Sequence, residues 1–335
     1  MSDLVYRLPI RTPPLLGESL RGYLIRSATM NGLAGINGLT TTVVGRPIAT
    51  FTPRLAIKLA DYCRCDVPEF FQLSGIEYRD INGACLWHIG DHSITKGHFI
   101  RSTHQPLCPL CLQDSPYLRS SWEVSLYTAC SHHQSRLLDK CPQCSRRITL
   151  IRTAVDRCNC GFPFGEAIPE IADASNLLVS TLIDFHLRNG QAVLANRPWP
   201  LELTMVEHLS SMPLDTFLKV LWFFGHCLPG KANGGVGRGR GRPGISSSMK
   251  LIQGAISTLT AWPYRFRKLL ENSAASLDYP NSHLWRANNY IEEEFRGLDC
   301  TIFICAAYDL FITPMRRKNT GDSRVWGHHH QLKLF

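Results

Sequence analysis

The sequence lacks any apolar run long enough to cross a membrane. The nearest, residues 221–228, falls far short of the roughly 20 residues that a spanning helix needs. Residues 1–11 also lack the apolar segment of a signal peptide. We therefore expect a cytoplasmic protein without a membrane partner. In that reducing compartment its thirteen cysteines are better explained as metal ligands and buried thiols than as disulfides.

Recognisable catalytic motifs are missing as well. The chain contains no His-Glu-x-x-His sequence, no Walker A loop and no acid cluster typical of a two-metal nuclease. Glu123 and Asp139 are isolated acids, which we interpret as surface or ion-paired residues rather than an acid–base pair. The sequence therefore predicts a protein that is not an enzyme and has no catalytic residues.

The composition is that of a folded protein with a basic surface. An apolar fraction of 44% and a charged fraction of 19% are ordinary for a globular chain, and 335 residues allow one to three domains. The formal net charge of +9 favours an acidic partner, with nucleic acid the first candidate.

Eight potential metal ligands occur as four close pairs in the middle of the chain. A tight turn can direct both members of such a pair at one ion, and structural zinc takes four ligands. We therefore predict two structural Zn²⁺ ions. Pairing neighbouring segments is the simpler assignment, although a cross-braced arrangement of the first and third pairs stays open. The predicted sites are Cys108, Cys111, Cys130 and His133, followed by Cys141, Cys144, Cys158 and Cys160.

Two features of these pairs refine the prediction. His132 is an alternative to His133, but only His133 repeats the two-residue spacing from Cys130. A catalytic zinc keeps one coordination position open for water. Because protein side chains would fill all four positions of each site here, we expect both ions to be structural.

The N-terminal segment predicts a helix from about Ser19 to Asn31. Apolar residues follow Gly17-Glu18-Ser19 at helical spacing, and Asn31-Gly32 supplies a stop. Arg21 and Arg26 fall on the opposite face, which we expect to be exposed to solvent.

A second helical unit follows, with one helix beginning at Pro53 and a shorter one at Pro68. Two helices joined by a short turn are typical of a helix-turn-helix. Residues 68–73 contain an acid but no lysine or arginine, so reading of bases is disfavoured. We expect this unit to dock protein or to be structural. Cys63 and Cys65 are predicted to be buried thiols.

After the ligand pairs the chain is predicted to be helical again, over residues 176–187, 213–228 and 249–262. We expect Trp199 and the aromatic run 222–224 in the core. The fold class is therefore predicted as mainly α. The predicted domains are an N-terminal helical domain with a helix-turn-helix (1–100), a tandem zinc-finger module (101–168) and a C-terminal helical domain (169–335), with a basic Gly/Arg loop at 229–248.

The Gly/Arg loop contains an Arg-Gly-Arg-Pro core that resembles an AT-hook. Such a thin, glycine-rich backbone lets arginines enter the narrow minor groove of A·T-rich DNA or contact phosphates. The alternative is a flexible basic loop without a nucleic-acid role. The predicted nucleic-acid-binding residues are Lys231, Arg238, Arg240, Arg242, Arg265 and Arg267.

Several motifs resemble the TniQ family, which includes TnsD-type proteins. They comprise Leu8-Pro9-x-Arg11, Gly17-Glu18-Ser19-Leu20-x-x-Tyr23-Leu24, Asn31-Gly32-Leu33, Cys108-Pro109-x-Cys111-Leu112, Tyr117-x-Arg119-x-x-Trp122, Cys130-x-x-His133, Leu137-Leu138 and Cys141-Pro142-x-Cys144. The resemblance covers about residues 5–165, with a fainter similarity around Trp262-Pro263. It implies the zinc ligands named above and a helix-turn-helix domain before tandem zinc fingers. The Gly/Arg loop is not part of the family pattern.

The resemblance implies a transposition protein that selects the insertion site. Such proteins bridge a target-marking element to an AAA+ ATPase regulator, which recruits the transposase. In CRISPR-associated transposons a TniQ dimer sits on Cascade with its guide RNA, whereas the TnsD branch binds a DNA site directly. We prefer the adaptor, because the chain is of intermediate length and residues 68–73 are poor in basic side chains.

Two alternatives stay open. The +9 charge and the Gly/Arg loop favour a TnsD-like reader of a specific DNA site. A protein of another class, a zinc-ribbon and helix-turn-helix transcription regulator, would bind one particular duplex tightly without partners.

Overall fold

The computed structural model describes residues 7–48, 50–188, 198–226, 243–266 and 268. This part of the chain is mostly helical and includes one small antiparallel sheet. The α-helices are α1 Leu20–Met30, α2 Gly35–Val44, α3 Pro53–Cys63, α4 Val67–Gln72, α5 Pro109–Asp114, α6 Ala174–Leu187, α7 Leu203–Ser211, α8 Leu214–His226 and α9 Ile245–Leu259. The strands are β1 Ile76–Arg79, β2 Cys85–Ile89 and β3 His92–Ile94, and short 3₁₀ turns occur at Gly97–Phe99, Ser120–Glu123 and Phe164–Glu166.

Helix α1 begins and ends where the sequence predicts. Ser19 is the N-cap, and its Oγ accepts a hydrogen bond of 3.0 Å from the amide of Gly22, which satisfies one of the unpaired donors of the first turn. Asn31 closes the helix and donates from its side chain to the carbonyls of Ser27 and Ile10, at 2.9 Å each. The same side chain therefore ends the helix and fixes the extended lead-in segment against it.

The predicted solvent exposure of Arg21 and Arg26 is wrong. Arg21 is 4% exposed and lies 3.4 Å from the carboxylate of Glu123. Arg26 donates from Nε and Nη2 to the two carboxylate oxygens of Glu18, at 2.9 and 2.6 Å. Helix α1 is buried on most of its surface. Its cations therefore face carboxylates instead of water, as buried charges require.

Helices α3 and α4 have the predicted order and turn. Thr52 caps α3 with Pro53 in its first turn, and Arg64 ends it at φ +56°. Helix α4 is six residues long, and its Phe70 is fully buried edge-to-face against Tyr23 of α1, with ring centroids 5.8 Å apart. Cys63 and Cys65 are buried, as predicted.

The three-stranded sheet was not predicted. Its order is β1-β2-β3, with Ile76 opposite His88 and Trp87 opposite Ile94. Strands of three to five residues with half-buried faces are too short to show a clear period-two pattern. Gly97 lets the ring of Trp87 approach closely, since a Cβ on this glycine would lie 2.8 Å from it.

The C-terminal helices pack closely on one another. Helix α8 is buried along almost its whole length, and Gly225 permits close contact with α9, because a Cβ there would lie 2.5 Å from the carbonyl oxygen of Leu251. Residues 222–224 belong to the core, as predicted, whereas Trp199 is partly buried and packs against it.

One hydrophobic core extends through the described residues from Leu8 to Phe266. It takes side chains from all three predicted domains, whose boundaries remain a prediction. Within the described ranges, no helix is long and apolar enough to cross a membrane. Most of the predicted Gly/Arg loop, residues 229–242, lies outside those ranges.

Candidate metal centres

The first cluster is built from one helix start and one tight turn. Cys108 is the N-cap of α5 and Cys111 lies in its first turn. The second pair sits on a turn in which the amide of Cys130 donates to the carbonyl of Ser135 at 2.7 Å. Gln134 adopts φ +54° to close that turn. Each pair is thereby held on a short, hydrogen-bonded segment that directs both side chains to one side.

The ligand atoms of the first cluster have the spacing of a tetrahedral site. Nδ1 of His133 lies 3.3 Å from Sγ of Cys111 and 3.6 Å from Sγ of both Cys108 and Cys130. The sulphurs of Cys111 and Cys130 are 3.5 Å apart. A zinc tetrahedron with Zn–S bonds of about 2.3 Å has S···S edges of about 3.8 Å. The residues therefore fit one zinc ion.

The surroundings of the first cluster orient its ligands. Asp114, one helical turn after Cys111, places Oδ2 3.0 Å from Nε2 of His133. This contact directs Nδ1 towards the sulphurs, as carboxylates beside metal-bound histidines commonly do. Ser135 Oγ lies 3.5 Å from Sγ of Cys108, and the amide of His133 donates to Sγ of Cys130 at 3.4 Å.

In the first cluster the ionisation of one thiol, Cys108, opposes the ionisation of the other two. Contact with Cys111 and Cys130 holds the pKa of Cys108 far below its usual range. The Cys108 sulphur in turn raises the pKa of Cys111 to about 11 and that of Cys130 still further. A divalent cation would relieve this opposition, because coordinated thiols are deprotonated outright.

The second cluster uses two turns of similar design. In the first, the amide of Cys141 donates to the carbonyl of Arg146 at 2.9 Å and Ser145 adopts φ +56°. In the second, the amide of Cys158 donates to the carbonyl of Phe162 at 2.9 Å, and Gly161 has φ +95°. The positive φ suits glycine at that position.

The four sulphurs of the second cluster also match a zinc tetrahedron. Those of Cys141 and Cys160 are 3.6 Å apart, and those of Cys144 and Cys158 are 3.8 Å apart. The backbone and guanidinium groups of Arg146 lower the pKa of Cys144 to about 6. Cys141 is buried, whereas the other three cysteines are half-buried. This cluster therefore lies nearer the surface than the first.

In the structure, each cluster is formed by two ligand pairs that are neighbours along the chain. The ligand atoms of each predicted set of four lie within 4.8 Å of one another, and the cross-braced arrangement is not the one formed. His132 is exposed and lies outside the first set, next to Asp114 and His133. The two clusters can each hold a metal ion, consistent with zinc.

The predicted nucleic-acid residues are not brought together by the described structure. Arg265 is exposed beyond α9 and donates to the carbonyl of Ser257 at 3.4 Å. The other five, Lys231, Arg238, Arg240, Arg242 and Arg267, lie outside the described residues. Their role stays a prediction.

Sequence reasoning missed three residues that support the clusters: Asp114, Ser135 and Arg146. Asp114 had a usable signal, since a residue three positions after a helical ligand lies on the same face. The positions of Ser135 and Arg146 depend on the turns formed around the ligands, which ligand spacing alone does not specify.

The N-terminal motif and the Tyr117–Trp122 motif form one packed unit beside the first cluster. The amide of Ser19 donates to the carbonyl of Leu118, and the amide of Ser120 donates to the carbonyl of Gly17, at 2.8 Å each. A Cβ on Gly22 would lie 2.7 Å from that of Leu118. Two distant sequence motifs are therefore joined through their backbones.

These features define a mostly helical protein organised around two Cys/His clusters that can hold metal ions. The TniQ family model matches residues 9–137, which include the N-terminal motif and the whole first cluster. This match identifies a TniQ domain in the N-terminal part of the chain, and such a domain implies a role in transposition-associated target selection. The second cluster lies beyond the matched residues. A search of curated proteins finds no match to the chain.

Proposed function

We propose that the protein is a non-catalytic adaptor for target selection in DNA transposition. It would link a target-bound complex to an AAA+ ATPase regulator and the transposase. The observation that carries this proposal is the central segment 122–130, which contacts both the N-terminal and the C-terminal helices.

The contacts of this segment run in two directions. Towards the N-terminus, Glu123 pairs with Arg21 of α1. Towards the C-terminus, Tyr127 donates to Asp184 of α6 at 2.7 Å. In addition, the carbonyl of Ser125 accepts from Ser248 of α9 at 2.7 Å. Surfaces on either side of the first cluster are therefore held in a fixed relation, as a bridging protein requires.

In this proposal both clusters hold structural zinc. Four protein ligands occupy each site, so the ion would stabilise the turns and would not carry an open position for chemistry. We propose that the adaptor consists of an N-terminal helix-turn-helix unit, a tandem zinc-finger module and a C-terminal helical domain. No catalytic residue is assigned.

The surface of α4 supports a role in protein docking. Val67 and Glu69 are exposed on this short helix, and it presents no cation to a phosphate or base edge. Partners of the adaptor would be the AAA+ regulator, Cascade with its guide RNA in a CRISPR-associated transposon, target DNA and a second copy of the chain. A direct, TnsD-like reader of DNA is the second candidate, favoured by the +9 net charge.

A pull-down of the purified full chain with candidate AAA+ and Cascade partners tests the adaptor. The variant Val67→Glu should reduce capture of a partner that docks on α4. Ile81→Glu is the matched control, because Ile81 is also an exposed β-branched residue but lies in the hairpin between β1 and β2. Capture should survive in the control.

A duplex-binding assay at two salt concentrations separates the two candidates. The adaptor should bind duplex DNA weakly and lose it with salt. Sequence-specific nanomolar binding by the chain alone, without capture of protein partners, would overturn the adaptor in favour of the direct reader.

A further inference from the structure

A cavity of about 260 Å³ lies beside the second cluster. Three arginines contribute to its lining: Arg146, Arg147 and Arg152. Arg152 is buried and already donates to the carbonyls of Thr149 and Ala154, at 2.7 and 3.0 Å. Arg146 and Arg147 are exposed, and neither forms an ion pair with a carboxylate in the described parts of the chain. Two cations are therefore available to a ligand at this cavity.

A third cation lies directly opposite Arg147. Lys140 and Arg147 are antiparallel bridge partners at the base of the Cys141 turn, and both side chains are exposed. Side chains of directly paired residues project to the same side with Cβ atoms about 5 Å apart, where like charges destabilise the pair. An anion bound between them would remove this repulsion.

The segment around the second cluster stays positive when its metal is counted. Residues 140–160 contain five lysines and arginines against one carboxylate, Asp156. That carboxylate lies 3.6 Å from Arg157. A zinc ion with four thiolates would carry a charge of −2, which leaves cations in excess. Arg146 faces Cys144 and can offset part of the cluster's charge. Lys140 and Arg147 are therefore the cations most available to a ligand.

The position of this surface connects it with the basic sequence that precedes α9. A Cβ built on Gly244 would lie 3.2 Å from Nη2 of Arg147. Gly244 follows Arg242 by two residues along the chain. A repeating polyanion can engage several separated cations at once, whereas a single small anion can engage only cations that converge on one point. This favours a nucleic-acid backbone over an isolated phosphate.

We propose that Lys140, Arg146 and Arg147 form a phosphate-backbone contact site for nucleic acid on the second cluster. The site reads charge and not sequence, since its donors are cations on a turn and not side chains placed on a groove-reading helix. This inference rests on the proposed role in target selection. Through this site the adaptor would contact nucleic acid directly. The site lies outside the family match, which ends at residue 137.

The test measures binding of the full-length, zinc-loaded chain to a random-sequence DNA duplex and to a single-stranded RNA, each at 50 and 200 mM salt. The variant is Lys140→Gln with Arg147→Gln. Arg146 is left intact because of its contact with Cys144. The control is Arg79→Gln with Arg188→Gln, which removes the same charge from two exposed positions elsewhere.

Removal of two phosphate contacts should lower the salt slope on duplex DNA by about 1.8. Between the two salt concentrations, the factor by which the wild-type affinity falls should then be about 12 times the factor for the variant. The RNA should show the same trend with a smaller slope, and the control should behave as the wild type. Zinc content and melting temperature report whether the variant is folded.

A measurement without any variant uses acylation of the Lys140 amine, which duplex DNA should protect in the wild-type chain. Unchanged salt slopes, equal losses in the control, or no protection of Lys140 would each overturn the site. An acidic peptide that binds through Lys140 and Arg147 while duplex binding is unaffected would replace nucleic acid by an acidic protein partner. The pull-down with the AAA+ regulator tests the adaptor separately, because it does not depend on these cations.

Discussion

Arg21 and Glu123 lie 102 residues apart in sequence, yet Nη1 of the arginine is 3.4 Å from Oε1 of the glutamate. Their side chains are 5% and 0% exposed. Ser74 donates a further hydrogen bond of 3.0 Å to Glu123. Gly75 packs against this pair at φ +97°. A side chain does not fit at this position, because a Cβ there would lie 2.8 Å from the Arg21 guanidinium. This buried ion pair joins α1 to the segment between the two ligand pairs of the first cluster.

Loss of one partner of this pair should destabilise the protein strongly. We expect Arg21→Met or Glu123→Leu alone to lower the free energy of unfolding by about 3–5 kcal/mol, because each leaves a buried charge unpaired. The double variant should recover much of that loss. Urea denaturation at pH 7 measures all four forms of the cycle.

The exposed pair Arg7–Asp61 provides the control, with side chains 59% and 41% exposed. Arg7→Met should cost less than about 1 kcal/mol, since water solvates the remaining charge. Equal effects at the buried and exposed pairs would contradict the role given to burial.

Glu123 should also make stability depend on pH. Burial raises the pKa of Glu123 above its usual 4.5, although Arg21 and Ser74 act in the opposite direction. The folded protein then keeps this proton at pH values where the unfolded chain has lost it. By linkage, the contribution of Glu123 to stability falls as pH rises from about 4.5 to the folded pKa.

The variant Glu123→Gln has no such proton to lose. Its free energy of unfolding should therefore rise relative to that of the wild type across this pH range, measured by urea denaturation at closely spaced pH values. A difference that changes in the opposite sense would mean that Arg21 lowers the pKa of Glu123 below its usual value.

Arg101 should resist even conservative substitution. It is fully buried, and its guanidinium donates to the carbonyls of Trp122, Val124, Ser125 and Tyr127, at 2.6 to 3.1 Å. A lysine has a single ammonium group and cannot reach all four acceptors. We expect Arg101→Lys to cost at least about 2 kcal/mol, from carbonyls left unsatisfied.

The exposed Arg79 is a suitable comparison, because it makes one hydrogen bond, to Gly83. Thermal unfolding of Arg79→Lys should match that of the wild type. A wild-type melting temperature for Arg101→Lys would show that water or another side chain satisfies the carbonyls.

The two clusters should release zinc at different rates. Metal analysis is expected to find two zinc ions per chain. The cysteines of the first cluster are buried, whereas three of the second are half-buried, so a chelator should remove the second ion first. We expect two kinetic phases of release from the wild type, followed with a colorimetric zinc indicator.

Cys160→Ser should abolish the faster phase and leave the slower one. Loss of the first ion should lower the melting temperature more, because Cys108, Cys111 and Cys130 belong to the hydrophobic core. A single phase that releases both ions together would show that the clusters open as one unit.

Asp114 should tune the first cluster through His133. Its carboxylate lies 3.0 Å from Nε2 of this ligand, and loss of such an outer partner typically weakens metal binding 10–100-fold. We therefore expect Asp114→Ala to lower zinc affinity by about that factor in a competition assay. His133→Ala should remove the ion from this site altogether.

His132→Ala is the matched control, since it changes the neighbouring histidine and leaves the four predicted ligands intact. Its zinc affinity should equal that of the wild type. Loss of zinc in His132→Ala but not in His133→Ala would reverse the assignment of the histidine ligand.

Local signals in the sequence predicted the features that depend on neighbouring residues. Ser19 and Asn31 marked the ends of α1, and the close pairing of cysteines and His133 marked the eight candidate metal ligands. A cap or a two-ligand turn is formed within a few residues, so its pattern can be read directly along the chain. The helical class and the family motifs follow from the same kind of signal.

Tertiary structure alone decided which side chains meet across long separations. Helical spacing placed Arg21 and Arg26 opposite the apolar stripe, but only the folded chain brings Glu123 to the buried Arg21 and Glu18 to the half-buried Arg26. The sheet formed by β1 to β3 likewise depends on packing, because its strands are too short to show a periodic pattern. The sequence by itself determined which residues are candidate metal ligands, because each pair lies within a few residues. Only the fold decided which charges meet a distant partner, since a buried charge is stable only where such a partner compensates for its lost hydration.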